Sequence, residues 1–228
     1  MPYEERPTGL PGTVLWQQRA GAAPTPARIL PDGCLDLIWD GTRLFVAGPD
    51  TAARWHSSPA RASYAALRFA GGTGPALLGV PADELRDRSP ALDELWPAAC
   101  VRRLSEQVAA DPAAALQAWT AAQLVTREVD VLGRRVVALA ATGTPVAVMA
   151  DRLGLSPRQL HRRCLPLFGY GPRLLARVLR LQRALAQART PTPLVRIAAD
   201  CGYVDQAHLS REVRALAGTT PTVLLGRG

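Results

Sequence analysis

The sequence predicts an α+β protein in two parts, a small β-rich region followed by an all-helical region. Three observations support this prediction. Short alternating apolar runs separated by Gly and Pro turns fill the first 70 residues, which is typical of strands. Apolar residues recur at helical spacing from about residue 75 onward. Four Ser/Thr-Pro pairs then stand where helices of the second half are expected to begin.

The first 70 residues predict a small sheet of about five strands, arranged as a meander or a small barrel. The turn sequences Pro31-Asp-Gly33 and Asp40-Gly41 flank one alternating run, and an Asp-Gly pair is a strong hairpin signal. Five runs of this character are the predicted strands: residues 13–18, 34–39, 43–47, 54–57 and 62–69.

The next part of the chain, up to residue 125, predicts helices. Three short helices come first, and two longer ones follow, the second with Asp111 as N-cap and Pro112 at its first helical position. The two longer helices form a predicted hairpin that either covers the sheet or pairs with a second subunit. The five segments are residues 74–80, 81–88, 91–96, 101–110 and 112–125. We expect a domain boundary here, between residues 1–125 and residues 126–228.

Residues 126–228 predict an all-helical domain of seven helices. Ser/Thr-Pro pairs or an Asp mark most of the starts, since these side chains cap helices well. The expected caps are Thr144, Ser156, Thr192, Asp205 and Thr220. A long amphipathic helix over residues 172–189 carries several arginines and joins the two halves of the domain.

Two segments of this domain repeat one another, residues 145–164 and residues 193–213. Each is a short apolar helix, a tight turn containing Gly154 or Gly202, and a second helix whose outer face carries Arg, His and Gln. Glycine in such a turn permits the left-handed backbone conformation. Two helix-turn-helix units with basic outer faces indicate binding to double-stranded DNA.

Charge is divided unevenly between the two regions. Residues 1–125 hold 11 Arg against 13 Asp and Glu, a net of −2, whereas residues 126–228 hold 16 Arg against 6, a net of +10. A basic region beside a mildly acidic one predicts a polyanionic partner for the basic part alone. The chain has no Lys, and a bias of the genome explains the exclusive use of Arg equally well.

The sequence lacks the signals of a membrane protein and of several enzyme classes. It has no apolar run near the roughly 18 residues of a membrane span and no signal-peptide pattern, so we expect a cytoplasmic protein without a membrane partner. It has no Gly-rich phosphate loop, no Gly-x-Ser-x-Gly and no His/Cys metal cluster, so we expect no enzymatic activity, catalytic residue, metal or cofactor. The four cysteines form no Cys-x-x-Cys pair, and Cys100, Cys164 and Cys201 are expected to pack in the interior.

Residues 128–225 resemble the DNA-binding domain of the AraC/XylS family of bacterial transcription regulators. The following residues carry the resemblance: Leu155-Ser-Pro-Arg-Gln-Leu-His-Arg-Arg163, Phe168-Gly-Tyr-Gly-Pro172, Ile197-Ala-Ala-Asp-Cys-Gly-Tyr203, His208-Leu-Ser-Arg211 and Gly218-Thr-Thr-Pro221. It implies a monomeric domain whose two helix-turn-helices enter successive major grooves on one face of the DNA. The family usually has an aromatic residue where Cys164 and Val213 stand, and Pro166 is expected to kink the last turn of the first recognition helix.

The same resemblance implies the DNA contacts. Arg can hold guanine O6 and N7 through two hydrogen bonds and Gln can do the same for adenine, whereas Arg on phosphate fixes register without reading sequence. The expected base-contacting residues are Arg158, His161 and Arg162 in the first unit and Gln206, Ala207, His208 and Arg211 in the second. The expected phosphate-contacting residues are Arg163, Arg173, Arg177 and Arg214.

The first half of the chain is similar to the effector-binding regions attached to some of these regulators. The similar residues are Ile29-Leu-Pro-Asp-Gly-Cys-Leu-Asp36, Ala47-Gly-Pro49, Leu67-Arg-Phe69 and Leu77-Leu-Gly-Val-Pro-Ala82. The similarity implies a cupin-like β-region that binds a small molecule. The expected pocket residues are Cys34, Asp36, Trp39, Trp55 and His56, although such residues also serve to pack a sheet.

The sequence therefore predicts a DNA-binding transcription regulator that responds to a small-molecule effector. Residues 91–125 would supply the contacts of a homodimer, and RNA polymerase is a further expected partner. Two alternatives stay open: a DNA-repair or alkyl-transfer protein that uses Cys34 as acceptor, and an architectural DNA binder without a ligand. No basic residue neighbours Cys34 in the sequence to activate its thiol, and a ligand pocket would distinguish the second alternative.

Overall fold

Seven strands form two antiparallel sheets in the N-terminal region. They are β1 (Glu4–Pro7), β2 (Thr13–Arg19), β3 (Thr25–Ile29), β4 (Leu35–Trp39), β5 (Leu44–Ala47), β6 (Arg54–Ser58) and β7 (Ser63–Phe69). The larger sheet has the order β1-β2-β7-β4-β5, and β3 pairs with β6 in a two-stranded ribbon. The computed structural model describes residues 3–225, so the extreme ends of the two predicted domains lie outside the described residues.

The α+β class is confirmed, but the sheet is neither a meander nor a closed barrel. β7 lies between β2 and β4, and the edge strands β1 and β5 do not pair with each other. All five predicted strands are found. The prediction missed β1 and β3, because β1 is almost wholly charged, β3 has only Ala27 and Ile29 as apolar residues besides its proline, and proline is unusual inside a strand. Backbone pairing with β2 and β6 places these two strands.

The helices that follow cover one face of the five-stranded sheet. They are α1 (Gly74–Leu78), α2 (Ala82–Leu85), a 3-10 turn (Leu92–Glu94), α3 (Ala98–Ala110) and α4 (Pro112–Thr126). Asp111 caps α4 as predicted, since its side chain accepts a hydrogen bond from the backbone N–H of Ala114. Leu104 of α3 and Leu116 of α4 share a core with Leu37 of β4. Of the two predicted roles for the α3–α4 hairpin, the structure therefore shows that it covers the sheet.

Three local predictions for these helices are wrong. The helix expected over residues 81–88 ends at Leu85, because the backbone of Arg86 is extended. The helix expected over residues 91–96 is only a 3-10 turn, since Ala91 forms a β-bridge to Phe45. Cys100 is exposed on α3 instead of packed in the interior, whereas Cys164 and Cys201 are buried as predicted.

The C-terminal region is all helix, as predicted. Its helices are α5 (Val131–Ala141), α6 (Val146–Arg152), α7 (Pro157–Phe168), α8 (Pro172–Gln187), α9 (Leu194–Asp200), α10 (Gln206–Ala217) and α11 (Pro221–Leu224). α8 is shared by two cores, because Leu175 packs with α5 to α7 whereas Val178 and Leu181 pack with α9 and α10. Within residues 3–225 no helix is long and apolar enough to cross a membrane.

The predicted helix caps divide into two groups. Ser156, Asp205 and Thr220 accept hydrogen bonds from the first turns of α7, α10 and α11, as predicted. Thr144 and Thr192 do not cap their helices, which begin one residue beyond the following proline. The hydroxyl groups of these two threonines pair instead with the hydroxyls of Thr142 and Thr190, at 3.0 and 2.9 Å.

We predict that Gly48→Ala destabilises the N-terminal region. Gly48 follows β5, and a Cβ built there would lie 1.8 Å from the backbone oxygen of Leu85 in α2, so β5 and α2 would have to separate. We expect the free energy of unfolding to fall by about 2 kcal/mol or more in urea denaturation, the range for overpacking. Gly21→Ala is the matched control, since a Cβ at Gly21 meets no atom within 4 Å. Equal stability of the two variants would refute the prediction.

Candidate nucleic-acid interface

The same turn closes both helix-turn-helix units, α6–α7 and α9–α10. The N–H of Leu155 donates to the carbonyl of Ala150 at 3.0 Å, and the N–H of Tyr203 donates to the carbonyl of Ala198 at 2.9 Å. In each turn the preceding glycine, Gly154 or Gly202, has a φ of +65° or +75°, the left-handed conformation predicted from the sequence. The same backbone geometry therefore sets the angle between the two helices of each unit.

The recognition helices α7 and α10 bury one side and expose the other. Leu160 and Cys164 of α7 are buried, as are Leu209 and Val213 of α10, so the smaller residues at the family's aromatic positions still pack in the cores. α7 continues past Pro166 and ends at Phe168. The expected base-contacting residues Arg158, His161, Arg162, Gln206, Ala207 and Arg211 are exposed, and His208 is half-buried.

The two histidines of the interface also contact the protein itself. The ring of His161 lies against Gly171, where a Cβ would come within 2.3 Å of the ring Nδ1. The Nδ1 of His208 accepts a hydrogen bond from the backbone N–H of Val204 at 3.2 Å, and its ring packs edge-on against Tyr203. Both histidines thus help to shape their units, and their contact with bases stays a prediction.

The expected phosphate contacts fall into two groups. Arg173 and Arg214 are exposed, and no ion pair joins either to another described residue. Arg163 pairs with Asp130, the N-cap of α5, at 3.3 Å. Arg177 pairs with Glu212 at 2.8 Å, and both side chains are mostly buried, so this pair fastens α10 to α8.

Two arginines of α8 have a structural role that sequence reasoning missed. Arg180 lies over the ring of Tyr203 and donates to the carbonyl of Gly202 at 3.4 Å, and Arg183 donates to the carbonyl of Cys201 at 3.4 Å. Both therefore support the turn of the second unit. The spacing of arginines along α8, three or four residues apart, was the available signal, but it does not tell which side chains point to a turn.

The five expected pocket residues do not come together. Cys34 and Asp36 lie near each other, but Trp39 is on the opposite face of β4, in the core under the helices. Trp55 on β6 is 68% exposed, and the guanidinium of Arg28 stacks on its ring at 4.8 Å. His56 is exposed and contacts the hydroxyl of Tyr64 at 3.4 Å. Period-two alternation already places residues 36 and 39 on opposite faces, which was the missed signal.

A charged cluster surrounds Arg68 on the face of the sheet opposite the helices. Its guanidinium lies 2.9 Å from the carboxylate of Glu5, 3.2 Å from that of Asp36 and 3.6 Å from that of Asp32. Burial raises the pKa of Asp36 to about 6 despite the attraction of Arg68. Burial, and then the charges of Asp32 and Asp36, raise the pKa of the Cys34 thiol well above its usual value. Among the residues that the structure describes, no group of His, Cys, Asp and Glu could hold a metal ion.

Two family models match parts of the chain. A helix-turn-helix domain matches residues 149–227, and a domain of unknown function, DUF6597, matches residues 13–90. A search of curated proteins gives no match. The C-terminal match confirms the helix-turn-helix domain that the sequence resemblance implied.

Several solved structures resemble the chain. ToxT from Vibrio cholerae, in one crystal form, is 10% identical with a TM-score of 0.51. The match spans 99% of this chain and 98% of the ToxT chain. ToxT with an unsaturated fatty acid bound is 9% identical, with a TM-score of 0.46, over 93% of this chain and 94% of its own. A probable AraC family transcriptional regulator from Rhodopseudomonas palustris is 26% identical, with a TM-score of 0.37, over 43% of this chain and 97% of its own. At 10% identity the first ToxT structure supports a likeness of fold alone, and the TM-scores of the other two structures are too low to add to it.

We predict that Asp36 titrates near pH 6 in the folded protein. An ordinary Asp has a pKa of about 4, so between about pH 4 and pH 6 the folded chain holds a proton that the unfolded chain has released. The stability contributed by this proton is present below that range and lost as pH rises through it. Carboxyl-carbon NMR shifts measure the midpoint. Asp40 is the control, because hydrogen bonds from Thr42 and Arg43 outweigh its partial burial and lower its pKa. Coinciding midpoints for Asp36 and Asp40 would contradict the prediction.

Proposed function

We infer that this DNA-binding transcription regulator, which carries an AraC-type helix-turn-helix domain at residues 149–227, reads a two-part DNA sequence and adjusts its binding to a small molecule. One observation carries the proposal: a single turn geometry is repeated in two units whose recognition helices both keep an exposed outer face. Two equal units on one shared helix suit two successive major grooves, whose centres on one DNA face lie about 34 Å apart.

The base-reading residues would lie in the first two turns of α7 and α10, the part of a recognition helix that meets base edges. Arg158, Arg162 and Arg211 are exposed there and carry the two-pronged donor that fits guanine O6 and N7. Gln206, at the first position of α10, can pair in the same way with adenine. His161, Ala207 and His208 complete the proposed set, with Ala207 offering a small apolar contact to a thymine methyl group.

Phosphate contacts would come first from Arg173 and Arg214. Both are exposed, and Arg173 stands in the first turn of α8, where free backbone N–H groups also attract anions. Arg163 and Arg177 could reach phosphate only by sharing or leaving Asp130 and Glu212. We therefore assign Arg177 chiefly to holding α10 in place.

We place the effector site on the face of the five-stranded sheet opposite α3 and α4. This face carries the apolar side chains of Trp16, Ile38 and Tyr64 and, at one end, the cluster around Arg68. Three carboxylates surround one guanidinium, so the local charge is negative when all of them are ionised. Such a site favours a ligand with a cationic or hydroxyl group over an acid.

A contact path leads from this cluster to the DNA-binding domain. The turn before β4 packs against α8, where Gln182 donates to the carbonyl of Pro31 at 2.7 Å and Leu175 lies 3.4 Å from the Cβ position of Gly33. A ligand that displaced Asp32 from Arg68 would move this turn and so act on α8. It would shift binding only by the difference in its affinity for the two arrangements.

The rival functions have less support. An alkyl acceptor needs a thiolate, but burial and the charges of Asp32 and Asp36 raise the pKa of the Cys34 thiol, which opposes thiolate formation. An architectural binder would contact DNA without sequence preference, and the exposed Arg and Gln side chains on the outer faces of both recognition helices argue against it. A homodimer through residues 91–125 and a contact with RNA polymerase stay predictions.

Selection of random duplex DNA by the purified protein, at a stated near-physiological salt concentration, tests the proposal. We expect enrichment of a two-part motif whose halves are centred about one helical turn apart. The selected duplex then serves to screen small molecules for a change in affinity. Binding without enrichment that collapses as salt rises would indicate phosphate contact alone and would overturn sequence reading.

We predict that Arg211→Ala relaxes the preference at one base position of the selected site. Loss of a bidentate contact should cost roughly 1–3 kcal/mol of discrimination at that position and little elsewhere. Arg173→Ala is the comparison, because loss of a phosphate contact should weaken all sequences alike and lower the salt dependence. Titrations of matched and single-mismatch duplexes distinguish the two variants. Equal loss on all duplexes for Arg211→Ala would remove it from the base-reading set.

A further inference from the structure

The N-terminal region touches the C-terminal end of the first recognition helix, α7. Arg86, just after α2, donates from Nη1 to the carbonyl of Gly169 at 3.2 Å. Gly169 packs so closely on the N-terminal region that a Cβ there would lie 2.7 Å from Pro49 and 2.9 Å from the backbone oxygen of Ala82. The last carbonyl groups of a helix lack partners within it and carry partial negative charge, so an arginine stabilises this end.

The N-terminal region touches the end of the second recognition helix, α10, in the same manner. The backbone N–H of Ala53 donates to the carbonyl of Leu216 at 2.6 Å, and Nη1 of Arg28 donates to the carbonyl of Ala217 at 3.1 Å. The same guanidinium stacks on Trp55, which holds it in place. At the C-terminal end of each recognition helix, a backbone carbonyl thus accepts a hydrogen bond from an arginine of the N-terminal region.

One short loop joins the two contacts. This bridging loop, residues 49–53, connects β5 to β6 and touches α7 through Pro49 and α10 through Ala53. Four residues of extended chain reach at most about 14 Å, so the loop limits the separation of its two contact points. It is itself fastened, because Asp50 pairs with Arg54 at 3.0 Å and the N–H of Thr51 donates to Asp87 at 2.7 Å.

We propose that the bridging loop, with Arg28 and Arg86 as positioning residues, fixes the distance between the two recognition helices and thereby the spacing of the two half-sites that the protein accepts. The inference rests on the proposed reading of a two-part DNA sequence. The contacts lie at the C-terminal ends of α7 and α10, whereas the base-reading residues lie at their N-terminal ends, so the N-terminal region can stay in place while both helices occupy DNA. The N-terminal region then contributes to the DNA specificity of this chain.

The test compares the spacing preference of the wild-type chain with that of the double variant R28A/R86A. The DNA is the duplex selected by the wild-type protein and derivatives with one or two base pairs added or removed between its halves. Each added pair moves a half-site by about 3.4 Å and turns it by about 35°, so we expect the wild type to lose about tenfold or more in affinity. We expect the double variant to lose only about twofold to threefold, while its preference for bases within each half stays unchanged.

Two further variants separate positioning from general damage. R102A/R103A removes the same charge from exposed positions of α3 and should keep the wild-type spacing preference. R28K/R86K keeps a donor for each carbonyl and should restore much of that preference, and circular dichroism confirms folding of each variant. Unchanged spacing discrimination in R28A/R86A, or a wild type that tolerates every spacing, would overturn the inference. Failure of the wild type to select any sequence would instead overturn the proposed function.

Discussion

The burial of one apolar stripe along α8 is the constraint on which the DNA-binding region depends. Leu175 at one end of the stripe completes the core of the first unit, and Val178 and Leu181 complete that of the second. Because both units pack on one rigid helix, neither can turn without exposing its own core. The Arg177–Glu212 pair, flanking this stripe, removes a remaining degree of freedom for α10. Packing on α8 therefore sets the overall relation between the two recognition helices, and the contacts of Arg28 and Arg86 at their C-terminal ends adjust their separation.

The N-terminal region completes this arrangement through unusually close backbone contacts. Gly72 and Gly133 approach so closely that a Cβ on Gly72 would lie 3.0 Å from the Cα of Gly133, which joins the end of β7 to α5. The turn at Gly33 meets α8, and the carbonyl of Pro31 accepts from Gln182. A change in the sheet can therefore reach α5 and α8 without crossing a flexible linker. Closely packed interfaces tend to switch between discrete arrangements rather than deform gradually, which suits a regulator.

Much of this fold was predictable, and the failures have a common cause. Local signals sufficed where one segment decides its own structure, as in the left-handed turn at Gly202 or the cap at Asp205. Local signals failed where the structure of a segment depends on the segment packed against it. β3 exists because β6 pairs with it, and the hydroxyl of Thr144 pairs with the hydroxyl of Thr142 instead of capping a helix. The five expected pocket residues lie apart for two reasons: Trp39 is on the face of β4 opposite to Asp36, and Trp55 stacks on an arginine from β3 that the sequence does not reveal as its partner.

The arginines show most clearly what composition cannot decide. The net charge of +10 after residue 125 suggests a broad phosphate-binding surface. Yet several of these guanidinium groups are engaged within the protein, on a carboxylate or on backbone carbonyls at a turn; they include Arg135, Arg163, Arg177, Arg180, Arg183 and Arg196. An arginine that already binds a carbonyl or carboxylate of the protein must release that contact before it can bind a phosphate. Counterion release on DNA binding should therefore reflect the smaller set of unengaged arginines, and the salt dependence should be weaker than the total charge implies.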